Sequence, residues 1–146
     1  MPRMKAISIR SPWWWFILHG GKDIENRDWR TNYRGRVLIH ASTWWRSIEI
    51  LQTLSEFTPA WCAPSVSTST LRPSVGHIVG AVDIVDCVDR HDSPWFFGRH
   101  GFVLANPQAF DTPIPCKGAL GLFNAPAEVA AAAAKMEGFI CDGSHC

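Results

Sequence analysis

The chain lacks any long apolar run. Its longest strongly apolar stretch, Trp13 to Leu18, is far short of the roughly 20 residues a membrane-spanning helix requires, so no membrane partner is expected. None of its five cysteines, Cys62, Cys87, Cys116, Cys141 and Cys146, stands in the C-x2-C spacing of a zinc site. Their odd number and scattered placement point to free thiols in a reducing compartment. Cys141, His145 and Cys146 at the tail could in principle ligate a metal, but a frayed end with free thiols is the simpler reading. No metal or cofactor is therefore expected. The opening MPRMKAISIR has no apolar core of the kind a secretory leader needs, so a cytoplasmic protein is expected. No internal repeat is visible.

Net charge is also small, only +1, but it is unevenly spread. Residues 1–46 hold nine of the 14 Lys/Arg and three of the 13 Asp/Glu, a net of +6, and the remainder is −5. A basic first third on an acidic remainder suggests a one-sided electrostatic surface, unless the fold interleaves the two. At 146 residues, 47% hydrophobic and 18% charged, the chain is expected to form one folded domain with a single sizeable core. What it has in excess is tryptophan: eight, each costly to place unless it packs or stacks on something.

Local patterns give the elements. Lys5 to Ile9 reads as a strand, and Ser11-Pro12 as the cap and first position of a helix running WWWFILH to Gly20-Gly21. Trp14, Ile17 and Leu18 would share one face of that helix, while Trp13, Trp15 and Phe16 spread around the rest. At least one aromatic should then face solvent, a crevice or a ligand. Arg36 to His40 is a strand, Thr43 to Phe57 a helix, and Pro59 to Gly76 an aperiodic Pro/Ser/Thr-rich segment expected to be a mobile loop. His77 to Val88 is the strongest strand signal, with Gly80 permitting a bulge. Trp95–Phe97 and Phe102–Leu104 read as strand segments, Asn106-Pro107 as a turn, Ala119–Phe123 as a last strand and Glu128–Met136 as a helix. Short strands with few helices suggest an α+β fold, a small β-barrel flanked by two or three helices.

The most informative stretch is GGKDIENRDWRTNYRGRVLIHA, from Gly20 to Ala41. Cations interleaved with aromatics suit a polyanion that carries flat rings, which describes nucleic acid. Within it lies Gly20-x-Lys22-x-x-Glu25-x-Arg27. If residues 24–27 are extended, Glu25 and Arg27 point to one side and Lys22 arrives from the preceding turn. Such a carboxylate between cations is either an ion pair fixing a turn or a poised acid–base or phosphate-handling group. His40, amid Leu38, Ile39 and Ala41, fits a half-buried strand residue better than an acid–base group.

Taken together, Ser8-Ile9-Arg10-x-Pro12-Trp13, the Gly-x-Lys-x-x-Glu-x-Arg motif, Tyr33-Arg34-Gly35, Ile39-His40-Ala41 and Gly80-x-Val82-x-Ile84-x-Asp86-Cys87 resemble the ASCH domain. Ser93-Pro94-Trp95, Phe102, Asn106-Pro107 and Pro115-x-Lys117-Gly118 agree with it. That family belongs to the PUA-like barrels, and the likeness covers roughly residues 4–124. It frames a domain over 1–126, with 58–75 as a loop insertion and 127–146 as a C-terminal helix and tail.

The resemblance implies a cleft between the first helix and the barrel, lined by Lys22, Glu25 and Arg27, with Arg10, Trp13, Tyr33 and Arg34 nearby. PUA-like folds commonly bind RNA, and the coactivator-type ASCH domain is associated with DNA. A second branch resembles amidohydrolases acting on N4-acetylcytidine, where a threonine nucleophile stands three residues after the lysine; here that place is taken by Glu25, a poor nucleophile toward an amide. Ribonuclease activity has been described for bacterial members. The reading is therefore nucleic-acid or nucleotide binding through Arg10, Trp13, Lys22, Arg27, Tyr33 and Arg34. The alternatives are a small hydrolase using Lys22 and Glu25 as its acid–base pair, and a module that binds a protein partner.

Overall fold

A computed structural model describes residues 4–136 and 138–139. It contains six strands: β1 (Lys5–Ile9), β2 (Ile24–Arg27), β3 (Gly35–Ala41), β4 (His77–Val88), β5 (His100–Pro115) and β6 (Leu122–Asn124). Four helices accompany them: α1 (Trp13–His19), α2 (Ser47–Phe57), α3 (Thr68–Leu71) and α4 (Ala127–Ala134). The strands form one curled half-barrel sheet in the order β2-β5-β4-β3-β1-β6, an α+β fold of PUA-like form. β1 and β3 run parallel, and every other pairing is antiparallel. The parallel pair needs a crossover, which α1 and β2 supply.

β3 reads as a continuous apolar run because both faces of the sheet are covered there. Val37, Ile39 and Ala41 join the cluster beneath α1, and Leu38 joins a second cluster with Ala81, Phe110 and the α4 residues Val129, Ala130 and Ala133. α4 is small-sided, and this lets it lie close on the sheet. Gly80 serves close approach as well as the bulge: a Cβ there would stand 2.3 Å from the Gln108 carbonyl oxygen. The pairing of β4 with β5 shifts register beside it. No helix among the described residues is long and apolar enough to cross a membrane.

Several local expectations change. Ser11 does not cap α1; its hydroxyl accepts the Trp14 indole N–H at 2.9 Å, and the Trp13 N–H goes to the Arg10 carbonyl at 2.9 Å. α1 is sunk on nearly all sides. Trp14, Trp15, Phe16 and Ile17 are all buried, because the sheet covers one side while Phe57 and Trp95 reach the other. Of its aromatics, Trp13 alone stays half-buried. Trp95–Phe97 is a turn rather than a strand. Asn106-Pro107 is not a chain reversal: β5 runs through it, with Asn106 at φ 53.

The helix expected from Thr43 begins only at Ser47, leaving 43–46 irregular. The segment expected to be an aperiodic loop folds into short turns: a 3-10 turn at Ala60–Ser65, α3 with a Ser67–Thr70 capping box, and a 3-10 turn at Arg72–Ser74. Cys62 and Leu71 bury themselves in the core from this segment. Cys141, His145 and Cys146 lie outside the described residues.

Candidate nucleic-acid interface

The site begins where α1 stops. Gly20 donates its N–H to the Phe16 carbonyl at 2.8 Å, and Gly21, at φ 77, turns the chain so that the Lys22 N–H reaches the same carbonyl at 3.1 Å. This reversal tucks the Lys22 side chain inward. Its Nζ donates to the Ile24 carbonyl and lies 5.2 Å from the Trp13 ring centroid and 5.7 Å from that of Trp95. The residue is only 4% exposed. Burial pushes the amine below its ordinary pKa; the charges of Glu25 and Asp23 oppose that, and Arg27 adds slightly to it.

β2 then presents Glu25 and Arg27 on one side, as its extended backbone requires. The Arg27 Nε and Nη2 both lie 2.9 Å from Glu25 Oε2, and Nη2 also donates to the Ser8 carbonyl at 2.9 Å. Arg27 thus ties β2 to β1 and holds the buried carboxylate in place. Asn26 faces the other way and grips the 95–97 turn, donating to the Trp95 carbonyl at 2.9 Å and accepting the Phe97 N–H at 2.8 Å.

Around these groups opens a pocket of about 360 Å³, lined by Trp13, Lys22, Glu25, Asn26, Phe57 and Phe97. Its rings brace one another edge to face: Trp13 against Phe57 at 5.1 Å, Phe57 against Phe97 at 5.8 Å. Trp13, Glu25 and Asn26 also line a second, wider groove of about 590 Å³, which adds Arg10, Arg27 and Trp44. The two spaces therefore adjoin at these shared residues. Phe57, Phe97 and Asn26 were not singled out from the sequence. Three aromatics in a row between Ser93-Pro94 and Gly98 were the available signal for Phe97; nothing local marked Phe57, which arrives from the end of α2.

The rest of the basic stretch goes elsewhere. Tyr33 and Arg34, expected near the cleft, line neither space. The Tyr33 hydroxyl donates to the Arg36 carbonyl at 2.7 Å. Arg30, Arg34 and Arg36 meet Asp89, Asp86 and Asp83, the acids of β4 and the turn after it. The fold therefore interleaves the basic third with the acidic remainder along β3 and β4. His40 is buried at 1% exposure rather than half-buried: its Nδ1 lies 2.9 Å from Ser8 Oγ and its Nε2 2.7 Å from the Cys116 carbonyl oxygen. The carbonyl must accept, so Nε2 carries the proton and Nδ1 accepts from the serine. Burial holds the His40 pKa below its ordinary value. This bonded histidine joins β1, β3 and the 116–118 segment.

A family model for the ASCH domain matches residues 7–137, nearly the whole described chain. The chain belongs to the ASCH domain family. Over 126 residues it is 28% identical to Activating signal cointegrator 1 of Homo sapiens, and over 121 residues 27% identical to the protein of that name from Mus musculus. Each alignment takes in 77% of this chain and 21% of the relative, so the chain spans about a fifth of the length of these relatives. The family match continues past residue 126 through α4, in keeping with the packing of that helix on the sheet. ASCH domains are PUA-like, a group associated with RNA binding.

Proposed function

We propose that this ASCH domain binds nucleic acid or a nucleotide in the cleft between α1 and the sheet, a base entering the ring-lined pocket and its phosphate lying in the adjoining groove. The observation that carries this reading is Lys22, a buried ammonium held between two tryptophans beside a pocket that shares lining residues with the groove. Burying an amine is costly, and a fold that only needed packing would be served by an apolar side chain. Here the amine meets the pocket together with Glu25, and three rings give the flat surfaces on which a base stacks, worth about 1–3 kcal/mol per base. Arg10 and Arg27 stand in the groove, where the phosphate would lie. The test is fluorescence anisotropy with labelled single- and double-stranded RNA and DNA. Binding that weakens at least tenfold in Lys22→Met supports the reading; wild-type protein that binds none of the four at low salt removes it.

A hydrolytic reading has one specific observation in its favour. The lowered pKa of Lys22 brings its amine nearer to use as a proton acceptor, with the Glu25 carboxylate in the same pocket. On that reading Glu25→Gln abolishes turnover of N4-acetylcytidine or single-stranded RNA while binding survives. Absence of product from wild-type protein, with and without divalent metal, sets it aside.

A further inference from the structure

Two arginines differ from all those on the β3–β4 face. Arg10 lies 4.7 Å over the Trp44 ring and Arg72 lies 4.8 Å over the Trp45 ring, and neither guanidinium forms an ion pair or side-chain hydrogen bond among the described residues. Both are exposed. A guanidinium seated over a ring, with no acid beside it, leaves to another partner the N–H donors that grip phosphate oxygens in pairs. Stacking also restrains the side chain, so less freedom is lost when an anion binds.

The chain places the two stacks in succession. The Ser42 N–H bonds the Ile9 carbonyl at 2.9 Å, and the Ser42 hydroxyl accepts the Trp44 N–H at 3.1 Å, which sets Trp44 beside Arg10. Trp45 follows in sequence. Arg72 comes to it from the segment before β4, fixed there by its fully buried neighbour Leu71. Arg10 and Trp44 already line the groove. Trp44 and Trp45 are consecutive, so the cation over the Trp45 ring, Arg72, is carried by the residue next to the one that holds Arg10 in the groove.

We propose that these two arginines form a track for single-stranded nucleic acid: one base occupies the pocket, and the phosphates that follow it are held by Arg10 on Trp44 and then by Arg72 on Trp45. The proposal rests on the binding reading above and extends it from a nucleotide site to a strand site of several nucleotides. A base can enter the pocket only when it is out of a duplex stack, which is why the track takes a single strand. It also gives the 58–75 insertion a task, since its last turn delivers Arg72. RNA and DNA share the phosphate and base chemistry on which this rests, and form separate arms of the test.

The test measures anisotropy with mixed-sequence strands of 3 and 9 nucleotides, as RNA and as DNA, and with the corresponding 9-base-pair duplexes. Wild-type protein should bind the longer strand at least about tenfold more tightly than the shorter, because the added phosphates reach Arg72. Arg72→Ala should erase most of that gain with less than about twofold change on the 3-mer, and should lower the log–log salt slope on the 9-mer by about 0.7. Arg72→Lys should keep part of the gain. Both substitutions are at an exposed side chain, and unchanged melting temperatures would exclude a folding effect. Equal affinity for both lengths, an unaltered 9-mer affinity in Arg72→Ala, or tighter binding of duplex than of strand would overturn the track. The pocket reading survives those results if Lys22→Met still weakens the 3-mer, whereas no binding of any probe ends both.

Discussion

Arginines close together in sequence come to different ends in this fold. On the β3–β4 face, Arg30, Arg34 and Arg36 each meet an aspartate, so a run that looks strongly basic in sequence becomes close to neutral in space. On the α1 side, Arg10 has no acid partner among the described residues, Lys22 is buried against rings, and Arg27 shares its charge between Glu25 and a carbonyl. Of these pairs Arg36–Asp83 joins β3 to β4 directly, and the other two are exposed pairs beside the strands. The α1-side groups surround open space. Charge counted along a chain is thus a poor guide to charge offered to a ligand, because folding can bring acids from a distant segment onto the bases.

The comparison is broken or sharpened by substitutions on each side. The largest effect is expected in the pocket: Trp13→Leu should weaken single-strand binding by about 10–100-fold, the worth of one stacked base. Melting measured alongside separates this from lost packing, since Trp13 also touches Phe16 and Phe57. Next comes a stability effect on the other face. Asp83→Asn takes the carboxylate from the nearly buried Arg36, whose Nε already lacks a hydrogen-bond partner. Urea denaturation should show a loss of about 1–3 kcal/mol, with nucleic-acid affinity kept within about threefold.

A smaller effect concerns pH. His40 has its folded pKa below the unfolded value of 6.5, so the unfolded chain takes up the proton first. Its contribution is fully present above that value and falls away as pH drops through it toward the folded pKa. Melting temperature should decline over this window, and His40→Gln should flatten the decline. His19, also lowered by burial but exposed at the end of α1, is the control: His19→Ala should leave most of the slope if the bonded His40 dominates it. The smallest effect is expected at Arg30. Arg30→Ala removes one exposed ion pair and should change stability by less than about 1 kcal/mol.

Much of the fold could be read from the chain. β1 and β4 begin and end where alternation and the run from His77 to Val88 place them, and α1 ends at the Gly20-Gly21 stop, although Ser11 does not cap its start. β5 was harder, because Asn106-Pro107 carries the chemistry of a turn. The strand absorbs it as an irregularity, Asn106 taking the left-handed conformation that asparagine tolerates. The pocket was half legible. The family resemblance implies a cleft at Lys22 and Glu25 with Trp13 nearby, and all three line the pocket. Phe57, Phe97 and the Asn26 clamp are long-range meetings, which local periodicity does not report. Tyr33 and Arg34 stand outside both spaces, and Arg34, just before β3, meets Asp86 of β4, a long-range meeting that local composition does not report.

The most direct measurement removes the same amount of positive charge from each region. The double substitution Arg10→Ala with Lys22→Met takes two cations from the cleft, and Arg30→Ala with Arg34→Ala takes two from the β3–β4 face. Dissociation constants for one single-stranded oligonucleotide, at one salt concentration, are compared with wild type. If the cleft is the binding site, its double variant should lose at least about thirtyfold, more than two screened phosphate contacts alone would give, while the other stays within about threefold. Equal losses, or the larger loss from Arg30 and Arg34, would contradict the account and place the ligand on the β3–β4 face.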